Sequence, residues 1–137
     1  MLFRSGASAA LLIVAMLSKD ALADLLAFAD SISLEALVET HSEAELETAL
    51  ECGAKIVGVN SRNLKTFEFD FTLFSGLISK IPDGATAVAE SGVASHRSLM
   101  EAAAAGADAA LVGTALMRKP DPAEELKSIL EGENHEG

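Results

Sequence analysis

The chain of 137 residues has no tryptophan, no tyrosine, one cysteine and three prolines, and its ten lysines and arginines face twenty-one aspartates and glutamates. Each scarcity excludes something. With six phenylalanines as the only aromatics, Ala, Leu, Val and Ile must carry the packing. The single Cys52 permits no internal disulfide, which fits a reducing compartment and a cytoplasmic location. It sits in "LECGAK", at a helix end with no neighbouring cation to activate it, and reads as a packed structural thiol. A net charge of -11 leaves no cluster of basic residues for nucleic-acid phosphates, so a nucleic-acid partner is excluded and the acidity reads as a solvated surface. The apolar run from Ala9 to Leu17 is too short to cross a membrane. No His/Cys/Asp grouping has metal-ligand spacing, and neither a P-loop nor GxGxxG is present.

What is present is a repeated grammar. Half of the residues are hydrophobic, enough for one globular domain with a core. "GASAALLIVA" at 6–15, "CGAKIVGVN" at 52–60 and "AGADAALVG" at 105–113 each place Gly-Ala and a short spacer before a compact apolar run. Glycine after a helical segment is a C-terminal cap, and a continuous apolar run marks a strand buried on both faces. The pattern predicts strands near 9–15, 36–39, 55–60, 86–90 and 108–112. Helices open at Ser18, Ser42 (with Glu45 in capping-box position), Asp70, Ser95 and about Asp121. The N-terminal stretch, with Arg4, its apolar run and "ALA" at 21–23, has features of a secretory signal. It is better read as the first strand and helix, because two internal segments follow the same grammar. The domain is expected over 1–130, with 131–137 a polar tail. Alternating strands and helices mean α/β with a parallel sheet, either an open doubly wound sheet or part of a (β/α)8 barrel. Five units cannot close such a barrel.

The strand ends carry the chemistry. Glu39, Asn60, Glu90 and Gly113 terminate successive strands, at the face where parallel α/β proteins place their sites. Gly92 and Gly113 permit close backbone approach, and Thr114 opens a short helical turn whose amides suit an anion. Arg62 stands just past a strand end, where it can pair with Glu39 or Glu90 or reach an anionic substrate. His41 reads as a loop residue, and His96 and His135 as exposed surface.

Taken together, "LVETHSEAELETAL", "GAKIVGVNSRNLKTFEFD", "VAESGV" and "GADAALVGTALMRKPDP" closely resemble the indole-3-glycerol phosphate synthase family, from about Gly6 to Leu130. The resemblance implies a partial barrel of five βα units, strands four to eight of the family's (β/α)8 TIM barrel. It implies the enzyme of tryptophan biosynthesis that converts 1-(2-carboxyphenylamino)-1-deoxyribulose 5-phosphate to indole-3-glycerol phosphate, losing CO2 and water without metal or organic cofactor. Glu39 takes the acid–base role, and Asn60 and Glu90 orient the substrate. Ser91, Gly92, Gly113 and Thr114 hold its phosphate, and Arg62 supports the polar groups. Family members often carry Ser where this chain has Thr114, which keeps the hydroxyl.

The family's first three strands, with a Glu-x-Lys motif and a second, general-acid lysine, have no counterpart here. Lys19, Lys55, Lys65, Lys80, Lys119 and Lys127 fall in helices, at strand starts or in loops facing elsewhere. "MLFRS" reads as a truncation point, and the chain as a C-terminal part. Such a half-barrel exposes sheet edges and an apolar face, so self-association, or complementation by an N-terminal half-barrel, is expected. Two other readings stay open: another phosphate-sugar barrel enzyme, such as a phosphoribosylanthranilate isomerase relative, and a non-catalytic phosphate-binding or assembly module.

Overall fold

The computed structural model describes residues 6–61 and 70–132. Five strands, β1 (Ala9–Ile13), β2 (Glu35–Thr40), β3 (Ile56–Val59), β4 (Thr86–Ala89) and β5 (Ala109–Ala110), alternate with helices. The helices are α1 (Lys19–Ser31), α2 (Glu43–Glu51), α3 (Phe71–Ile78), α4 (His96–Ala105), α5 (Thr114–Met117) and α6 (Pro122–Glu131). The strands pair in parallel, in the order β1-β2-β3-β4-β5.

That order decides between the two architectures. A doubly wound sheet reverses its strand order at a switch point and so places helices on both faces. Parallel crossovers are right-handed, so a strictly sequential order sends every helix to the same face, as in a barrel wall. The register agrees. Val38, Val57, Ala87, Val59 and Ala89 point to the helix side and are buried there with Leu22, Leu46, Phe74, Leu77, Ile78 and Ile129. The opposite face carries Leu11, Leu37, Ile56, Gly58 and Val88. No helix covers it among the described residues, and Leu11 and Leu111 are 51% and 49% exposed.

Local chemistry sets the boundaries. The side chains of Ser18, Ser42, Asp70, Ser95 and Asp121 cap their helices by accepting from backbone N–H groups in the first turn, as the sequence predicts. Gly53 and Gly106, at φ 83° and 109°, end α2 and α4 in the left-handed conformation. The Ala54 and Ala107 N–H groups then reach back to the carbonyls of Ala49 and Ala102. After α1 the same device is made without glycine: Ser33 takes φ 54°, and the Leu34 N–H donates to the Ala29 carbonyl.

Three expectations are corrected. β1 stops at Ile13, because Val14–Met16 turns into a 3-10 helix that buries Val14 against the core. β5 is shorter than 108–112: it pairs with β4 alone, and Asp108 serves the ladder through its side chain, accepting from the Ala87 N–H at 2.8 Å. His96 is not surface but half-buried, its Nδ1 3.1 Å from the Ile129 carbonyl, tying α4 to α6. His135 lies outside the described residues.

The described lysines are spent on surface ion pairs. Lys19 pairs with Glu51 at 2.6 Å, Lys55 with Asp30 at 2.8 Å, Lys80 with Glu43, Lys119 with Glu125 and Lys127 with Glu131. Lys65 lies outside the described residues. No helix among the described residues is long and apolar enough to cross a membrane.

Candidate active site at the strand ends

Three of the residues singled out at the strand ends meet. In the parallel register Glu39 of β2 lies opposite Gly58 of β3, and Gly58 opposite Val88 of β4. Side chains alternate along a strand, so Asn60 and Glu90, two residues further on, share the face of Glu39. Asn60 Nδ2 donates to Glu39 Oε1 at 3.2 Å. The Glu90 side chain lies across β3: a Cβ placed on Gly58 would sit 1.8 Å from Glu90 Oε1. A glycine inside a strand marks such a close approach.

Glu39 is buried, 9% exposed, and a buried carboxylate requires donors. Besides Asn60 it has His41, whose Nε2 lies 3.0 Å from Glu39 Oε1. The other ring nitrogen of His41 is 3.3 Å from Glu45 Oε2, and the His41 backbone N–H donates to the same oxygen at 2.8 Å. Ser42 caps α2 through the Glu45 N–H as expected. The reciprocal carboxylate bond, however, goes to His41 and not to Ser42. His41 is in a loop, as read from the sequence, but its side chain belongs to the site. Its place two residues beyond Glu39, just before a capping serine, is the signal that could have found it.

Glu90 is held as a carboxylic acid. Burial pushes its pKa up from 4.5 to about 8, and the hydrogen bond to Glu39 and the charge of Glu39 add to the rise. Glu90 Oε1 is buried and has no hydrogen-bond partner among the described residues. Two adjacent carboxyls, one keeping its proton at neutral pH, are an arrangement for donating and accepting protons.

Next to this cluster lies a cavity of about 190 Å³, lined by Glu90, Ser91, Gly92, Gly113, Thr114 and Arg118 among others. It is smaller than the roughly 300–1,000 Å³ that encloses a whole small molecule, so it suits one substituent of a ligand. Ser91 is buried, and its Oγ has no partner among the described residues. Gly92 has φ 86°. A larger cavity, about 460 Å³, opens at the other end of the strands around Ala23, Asp30, Glu35, Cys52 and Lys55. It lacks a convergent set of unpaired polar groups, Asp30 and Lys55 being engaged with each other. Arg62 lies outside the described residues, so its pairing with Glu39 or Glu90 has no geometry here.

A barrel-type α/β chain with a hydrogen-bonded carboxyl cluster at the C-terminal strand ends is the class that fold and site define. Comparison with known proteins makes it particular. The family model for indole-3-glycerol phosphate synthase matches residues 3–129. The indole-3-glycerol phosphate synthase of Rhodococcus jostii is 45% identical over 130 residues, covering 95% of this chain and 48% of that protein. That of Streptomyces griseus is 50% identical over 117 residues, covering 85% and 44%. A multifunctional tryptophan biosynthesis protein of Schizosaccharomyces pombe is 43% identical over 126 residues, covering 92% of this chain and 17% of that protein. The chain belongs to the indole-3-glycerol phosphate synthase family, and it spans about half the length of the bacterial relatives it matches. A solved thiamine phosphate pyrophosphorylase from Pyrococcus furiosus has the same fold over 90% of this chain and 59% of that one, with a TM-score of 0.69 and 20% identity.

Proposed function

We propose that this chain carries the strand-four-to-eight half of an indole-3-glycerol phosphate synthase active site. The reaction closes the indole ring of 1-(2-carboxyphenylamino)-1-deoxyribulose 5-phosphate and releases CO2 and water. It needs a proton delivered to a carbonyl oxygen as the aromatic carbon attacks, and later a hydroxyl protonated as it leaves. Glu39 serves the acid–base steps. Asn60 and His41 hold its carboxyl in place, with donors on Oε1. Glu90, whose single proton is shared with Glu39, accepts from a substrate hydroxyl through Oε1, which has no partner among the described residues. Ser91, Gly92, Gly113 and Thr114 take the phosphate in the adjoining cavity, and Arg62 supports the polar groups. The observation that carries the reading is the convergence of Glu39, Asn60 and Glu90 over Gly58, in a chain of this family.

The lysines that the family brings from its first three strands have no substitute among the described residues, whose lysines all sit in surface ion pairs. Turnover therefore requires the other half-barrel, laid against the uncovered sheet face, in the cytoplasm. The test mixes the purified chain with the part of the R. jostii relative that the match leaves out, and measures indole-3-glycerol phosphate formation. The chain alone is expected to be inactive, the mixture active, and the mixture with Glu39→Gln inactive. A complex that forms yet never turns over would overturn the synthase reading, and turnover by the lone chain would overturn the need for a second half.

A further inference from the structure

We propose that Arg118 is the cation of the cavity beside Glu90, and that it selects a dianionic phosphate ester there. The proposal rests on the phosphate reading of this cavity and goes beyond it by naming the charge that binds.

Seven basic residues lie among the described residues: Lys19, Lys55, Lys80, Arg97, Arg118, Lys119 and Lys127. Six of them are ion-paired to a glutamate or aspartate. Arg118 alone has no carboxylate partner among the described residues, in a chain with two acidic residues for every basic one. Its neighbour in sequence, Lys119, does find one, in Glu125 at 3.3 Å. Arg118 instead closes the four-residue α5 and lines the cavity together with Ser91 and Thr114.

Ser91 supplies an independent pointer to a ligand. It is 8% exposed, lines the same cavity, and its Oγ has no partner among the described residues. A buried hydroxyl without a partner carries a desolvation cost that an acceptor oxygen relieves. A guanidinium and a hydroxyl on one small cavity fit an oxyanion, because the guanidinium fork engages two oxygens at once while the hydroxyl donates to a third. The other ionisable group on the cavity, Glu90, is held neutral by burial and by Glu39 up to about pH 8, so it does not repel an anion at neutral pH.

The test uses inorganic phosphate and the isolated chain, followed through backbone amide resonances at low ionic strength. Four proteins are compared: the natural chain, Arg118→Gln, Lys119→Gln with the same change in charge, and Gly113→Asp, which puts a carboxylate into the cavity. The natural chain is expected to show phosphate-dependent shifts at Ser91–Val93 and Gly113–Ala115, lost in Gly113→Asp. Arg118→Gln is expected to weaken binding about tenfold, equivalent to about 1.4 kcal/mol, with Lys119→Gln close to the natural chain. Arg118 is exposed, so its replacement leaves the amide spectrum dispersed and the comparison valid. Unchanged affinity in Arg118→Gln, or equal weakening in both charge variants, overturns the role of Arg118 and leaves the phosphate reading standing. No localised shift in the natural chain overturns that reading and the proposal with it.

Discussion

The imidazole of His41 bridges two carboxylates, Nε2 to Glu39 at 3.0 Å and Nδ1 to Glu45 at 3.3 Å. It ties the end of β2 to the first turn of α2 and holds the buried Glu39 in place. Replacing His41 by alanine removes the ring from between two partly or fully buried carboxylates and takes away its N–H bond. Such bonds to charged groups contribute roughly 1.5–3 kcal/mol, and Glu39 retains Asn60. His41→Ala is therefore expected to lower stability by about 1–2 kcal/mol in urea denaturation with an unchanged m value. No loss of stability would mean that the bridge does not hold Glu39.

The protonated state of Glu90 makes stability depend on pH. The carboxyl titrates near 4.5 in the unfolded chain and at about 8 in the folded one. Between those values the native state binds a proton that the unfolded state lacks, so stability falls as pH rises. The contribution is complete below 4.5 and lost as pH passes through about 8. The slope cannot exceed the one-proton limit of about 1.4 kcal/mol per pH unit, and water reaching part of the side chain lowers the folded midpoint and so narrows the window over which stability is lost. Carbon-detected NMR of the Glu90 carboxyl should give the midpoint directly. Glu39→Gln should lower it by removing the neighbouring charge, while burial keeps it above the ordinary range. A Glu90 midpoint near 4.5 in the natural chain would refute the arrangement.

Gly58 provides the space for that carboxyl. A Cβ there meets Glu90 Oε1, Cδ and Cγ at 1.8, 2.5 and 2.9 Å, with no backbone atom among these nearest contacts. The obstacle is a flexible side chain, so Gly58→Ala should fold with an unchanged circular dichroism spectrum and expel the carboxyl toward water. The Glu90 midpoint should then fall from about 8 toward 4.5. An unmoved midpoint would show that Gly58 does not form the cradle.

The elements were legible in the sequence because each depends on local chemistry. Capping side chains and Gly-Ala turns recur at fixed distances from apolar runs, and those runs fall within a few residues of β1–β5. The site was partly legible for the same reason, since successive parallel strands end at one face. Other features needed three dimensions. The choice between a barrel wall and a doubly wound sheet lies in strand order, which no single segment encodes. The bridge made by His41 depends on a loop side chain turning back toward its own strand. The cradle at Gly58 is visible only once β4 lies beside β3. Arg118 is distinguished only in three dimensions, where every other described cation meets a carboxylate.

Ser33 is the exception among the turns, a non-glycine residue at φ 54° where α2 and α4 end on glycine. Holding an L residue in this region costs roughly 1–2 kcal/mol. Ser33→Gly relieves that strain but gives the unfolded chain more freedom, which returns roughly 0.4–1 kcal/mol. A net gain of roughly 0.5–1 kcal/mol is expected, visible as a higher Tm. A lower Tm would mean that the serine contributes something beyond its backbone angle.

The uncovered sheet face has its own consequence. Leu11 at one edge and Leu111 at the other are half exposed, and Phe28 in α1 and Ile32 at its C-terminal end are 62% and 53% exposed. Unpaired strand edges beside apolar surface are a template for association. The isolated chain should therefore bind a hydrophobic dye and sediment as larger species with rising concentration. Fully burying a leucine contributes roughly 1.5–3 kcal/mol, so Leu11→Lys with Leu111→Lys should weaken self-association at least about tenfold. The helical spectrum should not change, because neither leucine belongs to the helix-side core. Adding the complementary half-barrel should suppress both dye binding and self-association. A chain that stays monomeric and dye-free at all concentrations would show that this face is satisfied without a partner, and would remove the physical ground for complementation.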